Sequence, residues 1–342
     1  MKKTEKTFNI YKGDRPKVLL LGNGLCRAYG GISWDKLLDT IKDKNTYPHS
    51  ADKYILPMPL KAVMLTNNSL RTKIKNVVNN KEDGSDFGWH SFTHTTQEMR
   101  EQIRHFVKSG FDYVLTTNYS YEIEAALLDR DTLSPGQITR LMEYHEVDRA
   151  QPRYLTNTYN CADGVPVWHI HGEARKPESM ILGHSYYGKI LRRCVERIDS
   201  SKDTEFRKNI KNKIPQKIGS WIDAFVLGDV YILGLGLDFS EMDLWWLLEY
   251  KKNNQEFCGN TVFYDPITVK GSVCVYDNAV ACSNAASFIS GDECKKMLLN
   301  EVYGVQINNL DITIRCNDDY KPFYQKAIED IGKRISKNSN HR

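Results

Sequence analysis

The sequence predicts an α/β fold built on a Rossmann-like, doubly wound and mostly parallel sheet. Three short and largely apolar runs support this fold, at residues 16–21, 111–115 and 230–233, and each leads into a turn and a stretch of helical character. Strands of a parallel sheet are buried on both faces, so they are expected to be almost continuously apolar. Such strands in alternation with helices are typical of this architecture.

The elements follow in order along the chain. The first strand ends in Gly22-Asn23-Gly24, and a helix with a serine cap is expected to begin at Ser33. The second strand, 111–115, is followed by a helix from Tyr121. The same reasoning predicts further strands at 165–171, 179–183, 230–233, 261–264 and 305–307. Further helices are predicted at 189–221, 242–250 and 323–335.

These elements are expected to form one domain over residues 1–335. Helical insertions are predicted at about 51–110 and 189–225, beside one sheet, and residues 336–342 are predicted to be a disordered tail. The eight cysteines are scattered and form no C-x-x-C pair. This argues against a zinc ribbon and against a disulfide framework.

Composition narrows the class of protein. The net charge of +4 is small for 342 residues, so no direct nucleic-acid binding is predicted. The most apolar long window, 224–237, is interrupted by Asp229 and is too short to span a bilayer. The charged start of the chain leads into no apolar signal core. We therefore expect a cytoplasmic protein without a membrane segment.

Two glycine turns follow predicted strands and are candidate phosphate sites. They are Gly22-Asn23-Gly24-Leu25 and Gly234-Leu235-Gly236-Leu237-Asp238. Glycines in this position allow close approach of the backbone to a pyrophosphate. Arg27 stands where the third glycine of G-x-G-x-x-G would be, so a plain strand-to-helix turn remains an alternative. Glu241 and Asp243 open the next helix, where carboxylates fit the helix dipole without a ligand.

Polar groups at two further strand ends are candidate ligand contacts. In Thr116-Thr117-Asn118-Tyr119, the Asn118 amide offers both donors and an acceptor, which suits a ribose hydroxyl or a water molecule. An asparagine turn or a helix cap is the alternative. Tyr264 ends the strand 261–264, and its ring is a candidate contact for an adenine or its ribose.

The two histidines of Trp168-His169-Ile170-His171-Gly172 have three interpretations. Alternation along a strand predicts that His169 and His171 lie on one face. They can bind a metal with a third ligand such as His184, they can be core residues, or His171 can be a general base. No ligand spacing typical of zinc supports the metal, and none is expected. Because His171 is nearer the strand end, we favour it as the base and His169 as its support.

Four motifs in this order resemble the sirtuin-like family, specifically its bacterial branch in anti-phage defence. The first resembles the glycine loop of that branch, and the others resemble its T-T-N-Y-D, H-L-H-G and G-x-S motifs. They are Leu21-Gly22-Asn23-Gly24-Leu25, Thr116-Thr117-Asn118-Tyr119-Ser120, His169-Ile170-His171-Gly172 and Leu233-Gly234-Leu235-Gly236-Leu237. The resemblance spans roughly residues 16 to 270.

The resemblance implies a Rossmann-like NAD site and an NAD hydrolase that depletes the cofactor on infection. Asn118 and His171 would lie beside the nicotinamide ribose as the catalytic pair. Lysine deacylation is not expected, because the paired C-x-x-C module and the phenylalanine-arginine pair after the first loop are absent. The predicted cofactor contacts are Gly22, Asn23, Gly24, Leu25, Thr117, Tyr119, Gly234, Gly236, Asp238 and Tyr264.

The chain also departs from the family at three motif positions. Asn23 replaces an alanine, Ser120 replaces an aspartate and Gly236 replaces a serine. The G-N-G loop is similar to that of another abortive-infection family, whose loop reads G-N-G-F-D. A nucleotide-sensing Rossmann module without turnover is the alternative function. A homo-oligomer or a separate activating defence protein is the expected partner.

Overall fold

The computed structural model describes residues 6–31, 58–64, 95–131, 133, 137, 141, 143–146, 156–198, 207–268, 291–316 and 319–339. Its strands are β1 Thr7–Phe8, β2 Lys17–Leu21, β3 Tyr113–Thr116, β4 Glu143–Glu146, β5 Thr158–Ala162, β6 Val165–His169, β7 Gln216–Lys217, β8 Asp229–Leu233, β9 Thr261–Tyr264, β10 Ile267–Thr268, β11 Gln306–Asn308 and β12 Thr313–Ile314. Its α-helices are α1 Gly24–Ala28, α2 Met58–Met64, α3 Gln97–Val107, α4 Glu122–Leu127, α5 His184–Ile198, α6 Trp221–Leu227, α7 Met242–Asn253, α8 Gly291–Met297 and α9 Tyr320–Ser339.

An eight-stranded sheet forms the centre of the molecule, in the order β11-β9-β8-β2-β3-β6-β5-β4. All neighbours from β11 to β6 are parallel, whereas β5 is antiparallel to both β6 and β4. The predicted doubly wound, mostly parallel α/β fold is therefore confirmed. The chain leaves β2 toward β3 and later returns to β8 on the other side of β2, which places the switch point of the topology between β2 and β8.

The sheet is buried on both faces, as its apolar strands require. Along β2, Leu19 and Leu21 pack into one hydrophobic cluster, and Val18 and Leu20 pack into the other. Helices α3, α4 and α9 contribute to the first cluster, whereas α5, α6 and α7 contribute to the second. Side chains that alternate between two apolar layers explain why the strand cannot carry a polar stripe.

Several predicted elements differ from the structure. Residues 179–183 form no strand, because the chain makes a 3-10 turn at Pro177–Ser179 and turns again at Gly183, whose φ is +86°. The predicted helix 189–221 is correct over α5 up to residue 198 and over residues 207–211, but β7 interrupts it before α6 begins; residues 199–206 lie outside the described residues. Helix α6 is buried on all sides and belongs to the core instead of an insertion.

The ends of the other predicted elements also shift. The first helix begins at Gly24, directly after the loop, and the start predicted at Ser33 lies outside the described residues. Residues 336–339 continue α9 and are not a disordered tail; residues 340–342 lie outside the described residues. Of the insertion predicted at 51–110, the described part includes α3, which buries its apolar face in the first cluster.

The carboxyl ends of the central strands lie in one row. The register pairs Leu233 of β8 with Leu21 of β2, Leu21 with Thr116 of β3, and Thr116 with His169 of β6. Each loop that carries a sequence motif therefore begins one step beyond this row. Ligands of open α/β sheets bind at this edge, near the switch point.

The two glycine turns pack directly against each other at the switch point. The Gly22 amide donates to Leu233 O at 3.0 Å, and the Gly24 amide donates to Gly234 O at 2.6 Å. A Cβ atom on Gly22 would lie 2.5 Å from Gly234 O and 2.6 Å from Leu235 Cα. Both neighbours are backbone atoms, so they cannot move aside without displacing a turn.

This contact predicts that Gly22→Ala destabilises the fold by about 1–3 kcal/mol, the usual cost of overpacking. Gly188→Ala is the matched control, because a Cβ at this position of α5 meets no atom within 4 Å. Alanine is also the better helix former, so the control is expected to keep or slightly raise stability. Urea denaturation of both variants measures the difference. Equal stabilities of the two variants would contradict the close packing of the turns.

Candidate functional site

A buried histidine–carboxylate pair lies at the carboxyl edge of the sheet. His171 follows β6, and its Nε2 lies 3.0 Å from Oδ2 of Asp243 in the first turn of α7. The two side chains are 3% and 0% exposed. Since the carboxylate accepts from Nε2–H, a neutral imidazole carries its lone pair on Nδ1.

The surroundings of this pair favour the protonated ring. Burial opposes the charge, but the charge and hydrogen bond of Asp243, together with the charge of Glu241, raise the pKa of His171 above its ordinary value. The Tyr187 ring packs edge-on against the imidazole, with centroids 5.5 Å apart. Burial raises the pKa of the Tyr187 hydroxyl, so this group remains a hydrogen-bond donor.

Acceptor oxygens beside the pair have no hydrogen-bond partner among the described residues. They are Oδ1 of Asp243 and Oε2 of Glu241. Burial also raises the pKa of Glu241 to about 7. Buried polar atoms normally have partners, so unsatisfied acceptors at a sheet edge favour contact with a polar ligand or water.

His169 has a separate position and a different role. The prediction that both histidines lie on one strand face is wrong, because β6 ends at His169 and the chain turns at Gly172, whose amide donates to His169 O. His169 contacts Glu124 of α4, whereas His171 contacts Asp243 of α7. These two helices pack into different hydrophobic clusters.

Both ring nitrogens of His169 meet oxygen atoms. Nδ1 lies 2.7 Å from the backbone oxygen of Asn118, and Nε2 lies 2.8 Å from Oε1 of Glu124. A carbonyl only accepts, so Nδ1 must donate, and an ionised Glu124 requires Nε2 to donate as well. Burial opposes this charge, but the charges of Glu124 and Glu173 and the hydrogen bonds raise the pKa of His169 to about 9.

A buried polar network extends behind His169. The Asn160 amide donates to Oε1 of Glu124 at 3.1 Å and to Oε2 of Glu173 at 3.0 Å. Arg175 donates to both Asn160 and Glu173. Oε2 of Glu124 has no partner among the described residues, but the other hydrogen bonds connect these groups and hold the imidazolium that contacts the backbone of Asn118.

The Asn118 side chain lies next to the first glycine loop. Its Nδ2 donates to the Cys26 sulfur in α1 at 3.7 Å, and its Oδ1 has no partner among the described residues. Thr116 Oγ1 accepts a hydrogen bond from the backbone amide of Asn118 and donates one to Leu21 O. These two hydrogen bonds join the ends of β2 and β3. The structure thus brings Asn118 to the glycine loop, as the shared sheet edge requires.

The other predicted contact residues divide into packed and accessible groups. Leu25 is fully buried in the first hydrophobic cluster, and Thr117 is 5% exposed. The Tyr119 hydroxyl donates to Ile181 O at 2.8 Å. The Tyr264 hydroxyl donates to Asp330 at 2.7 Å and its ring is buried, so the structure engages Tyr264 in the core, and its contact with an adenine or its ribose stays a prediction.

The second glycine turn is more open at its far end. Gly234 has a φ of +67° and packs against the first glycine turn. Gly236 is exposed and has open space around it. Asp238 is also exposed, and its Oδ1 accepts from the amide and hydroxyl of Ser240, as in a turn that precedes a helix.

Neither the comparison with protein-family models nor the comparison with curated proteins finds a match to this chain. Within the described residues, no group of three or more His, Cys, Asp or Glu side chains can hold a metal ion. No helix in the described part of the chain is long and apolar enough to cross a membrane.

Sequence reasoning missed the partners of both histidines. It interpreted Asp243 only as a carboxylate suited to a helix N-terminus, and it gave Glu124 no role. Glu124 lies 45 positions from His169 in the chain, and Asp243 lies 72 positions from His171. A carboxylate in an otherwise apolar helical run, as in Ile123-Glu124-Ala125-Ala126, is the one local signal for such a buried partner.

The raised pKa of His169 makes stability depend on pH. The folded protein holds the proton up to about pH 9, whereas the unfolded chain releases it near pH 6.5. The stabilisation of the folded state by the protonated His169 is fully present below pH 6.5 and is lost as the pH rises through about 9. We expect His169→Gln to remove this fall in the free energy of unfolding, on the order of 1.4 kcal/mol per pKa unit.

Denaturation at a series of pH values measures the effect. His105→Gln, on the exposed side of α3, is the matched control and is expected to keep the wild-type pH dependence. An unchanged pH dependence in His169→Gln would contradict a protonated His169.

Proposed function

We propose that this protein is an NAD⁺ hydrolase, similar to sirtuin-like enzymes, that cleaves nicotinamide from NAD⁺ and releases ADP-ribose. The observation that carries the proposal is the His171–Asp243 pair at the carboxyl edge of a parallel sheet. Asn118 and the two glycine turns follow neighbouring strands at the same edge. The four motifs that resemble the sirtuin-like family are these same loops.

The reaction needs little chemistry from the protein. Water attacks C1′ of the nicotinamide ribose, and the C–N bond breaks with its electron pair going to the pyridinium nitrogen, which leaves as neutral nicotinamide. The transition state is expected to resemble an oxocarbenium ion, as in glycoside hydrolysis. His171 Nδ1 takes the proton of the attacking water, and Asp243 stabilises the imidazolium that forms.

Asn118 is assigned to the ribose or the water. Its Oδ1 is a buried acceptor without a partner in the described part of the chain, which suits a hydroxyl or a water proton. His169 fixes the Asn118 backbone through the 2.7 Å hydrogen bond and is thus a positioning residue. The two glycine turns are assigned to the pyrophosphate. Asn23 of the first turn is half-buried and Gly236 of the second is exposed, so a ligand can reach both positions.

A nucleotide-binding module without turnover is the second candidate. The low exposure of His171, 3%, favours it, because a general base must reach water. The backbone amides of Gly22 and Gly24 already donate to Leu233 O and Gly234 O, so they are not available to a phosphate in this arrangement. For turnover, the site around His171 would need to open to water. The proposal therefore includes activation by self-association or by a separate defence protein in the cytoplasm.

Purified protein incubated with NAD⁺ should release free nicotinamide. His171→Ala is expected to reduce the rate by about two to four orders of magnitude, the usual contribution of a positioned base, and Asn118→Ala is expected to reduce the rate because the ribose or the water is no longer oriented. His105→Ala is the matched control, since His105 is exposed on α3. Chromatographic detection of nicotinamide, with and without crowding agents, measures the rate.

Normal turnover by folded His171→Ala would contradict the assignment of the base. NAD⁺ binding without any release of nicotinamide under activating conditions would favour the binding module.

The base also makes the rate depend on pH. His171 must be neutral to accept a proton, so activity should rise with pH through the raised pKa of this residue. Asp243→Asn removes the charge that raises the pKa, and the rising limb of the pH–rate profile should move to lower pH. The profile of kcat against pH for both proteins measures the shift. A limb at the same pH in both proteins would show that His171 is not the titrating base.

A further inference from the structure

A tyrosine of the last helix lies against the two glycine turns and has no role so far. Tyr324 belongs to the second turn of α9, which packs on α1 directly after the first glycine turn. A Cβ atom on Gly24 would lie within 3 Å of both the Tyr324 hydroxyl oxygen and Gly234 O. The hydroxyl therefore occupies the space beside Gly24 that a side chain would need, at the point where the two turns meet.

The ring of Tyr324 is held by aromatic neighbours on its own helix. It stacks on Tyr320 with ring centroids 6.3 Å apart, and it meets Phe323 edge-on at 5.3 Å. Tyr324 is 4% exposed and belongs to the first hydrophobic cluster. Because these contacts restrict the ring, they also keep the hydroxyl directed at the glycine turns.

The hydroxyl is a donor at a place where a phosphate lacks donors. Within the described residues, no group forms a hydrogen bond with it, although the hydroxyl of a buried tyrosine usually has a partner. Burial raises the pKa of the Tyr324 hydroxyl, so the group keeps its proton. The backbone amides of Gly22 and Gly24 already donate to the opposite turn, so a phosphate at this edge must find other donors. Tyrosine hydroxyls are among the side chains that donate to phosphate oxygens.

We propose that Tyr324 is a binding residue for the pyrophosphate of NAD⁺, and that its hydroxyl donates to a phosphate oxygen where the two glycine turns meet. This inference rests on the proposed NAD⁺ site, but it does not require turnover. A hydrogen bond to a charged oxygen is stronger than one between neutral groups. The pyrophosphate takes no part in breaking the nicotinamide bond, so the contact contributes equally to the bound substrate and to the transition state.

Tyr324→Phe removes the hydroxyl and keeps the ring. KM for NAD⁺ is expected to rise about 10-fold with kcat unchanged, and the affinity for ADP, measured by titration calorimetry, should fall by a similar factor. Nicotinamide riboside has no pyrophosphate, so both proteins should cleave it with the same kcat/KM. Tyr320→Phe is the matched control, because it removes a hydroxyl from the neighbouring ring of the same stack, and it should keep the wild-type values.

Urea denaturation of each variant checks that the fold is kept, which is expected because the hydroxyl has no partner to lose. An unchanged ADP affinity in folded Tyr324→Phe, or an equal loss toward nicotinamide riboside, would overturn the role of Tyr324 alone. Weaker ADP binding by Tyr324→Phe, with no nicotinamide release by the wild type, would support the phosphate contact and contradict the hydrolase. A wild type that binds neither ADP nor NAD⁺ would overturn both.

Discussion

The contact between the backbones of the two glycine turns is the constraint on which the site depends. The hydrogen bond from Gly24 to Gly234 O closes the switch point between β2 and β8. No side chain larger than hydrogen fits at Gly22 or Gly24, since a Cβ there would lie within 3 Å of the opposite turn. The register places Leu233, Leu21, Thr116 and His169 in one row, so the loops after β3 and β6 begin at the same edge as this contact.

The two histidines are held in different ways. His169 has both ring nitrogens in hydrogen bonds and belongs to a network that holds the Asn118 backbone. His171 has one nitrogen held by Asp243, and the proposed mechanism assigns proton transfer to its Nδ1. Two imidazoles two residues apart can thus have different partners because the chain turns at Gly172 and each reaches a carboxylate of a different helix.

The parallel sheet and its polar edge could be predicted from the sequence, because runs such as 16–21 and 230–233 are local signals of a doubly buried strand. The division of the histidines could not. The turn at Gly172 depends on tertiary contact, since a Cβ at this position would lie 2.5 Å from the backbone of Ser179. Asp243 and Glu124 likewise find their histidines only after the helices pack, and the buried hydroxyl of Tyr264 depends on Asp330 of α9.

Hydrogen exchange with a non-hydrolysable NAD⁺ analogue tests the central claim most directly, namely that these loops form one nucleotide site. Mass spectrometry of the wild type, with and without the analogue, reads the backbone amides of each loop separately. The account predicts protection on binding in the loops after β2, β3, β6 and β8, with no change in α3. Binding that protects other segments and leaves these four loops unchanged would contradict it.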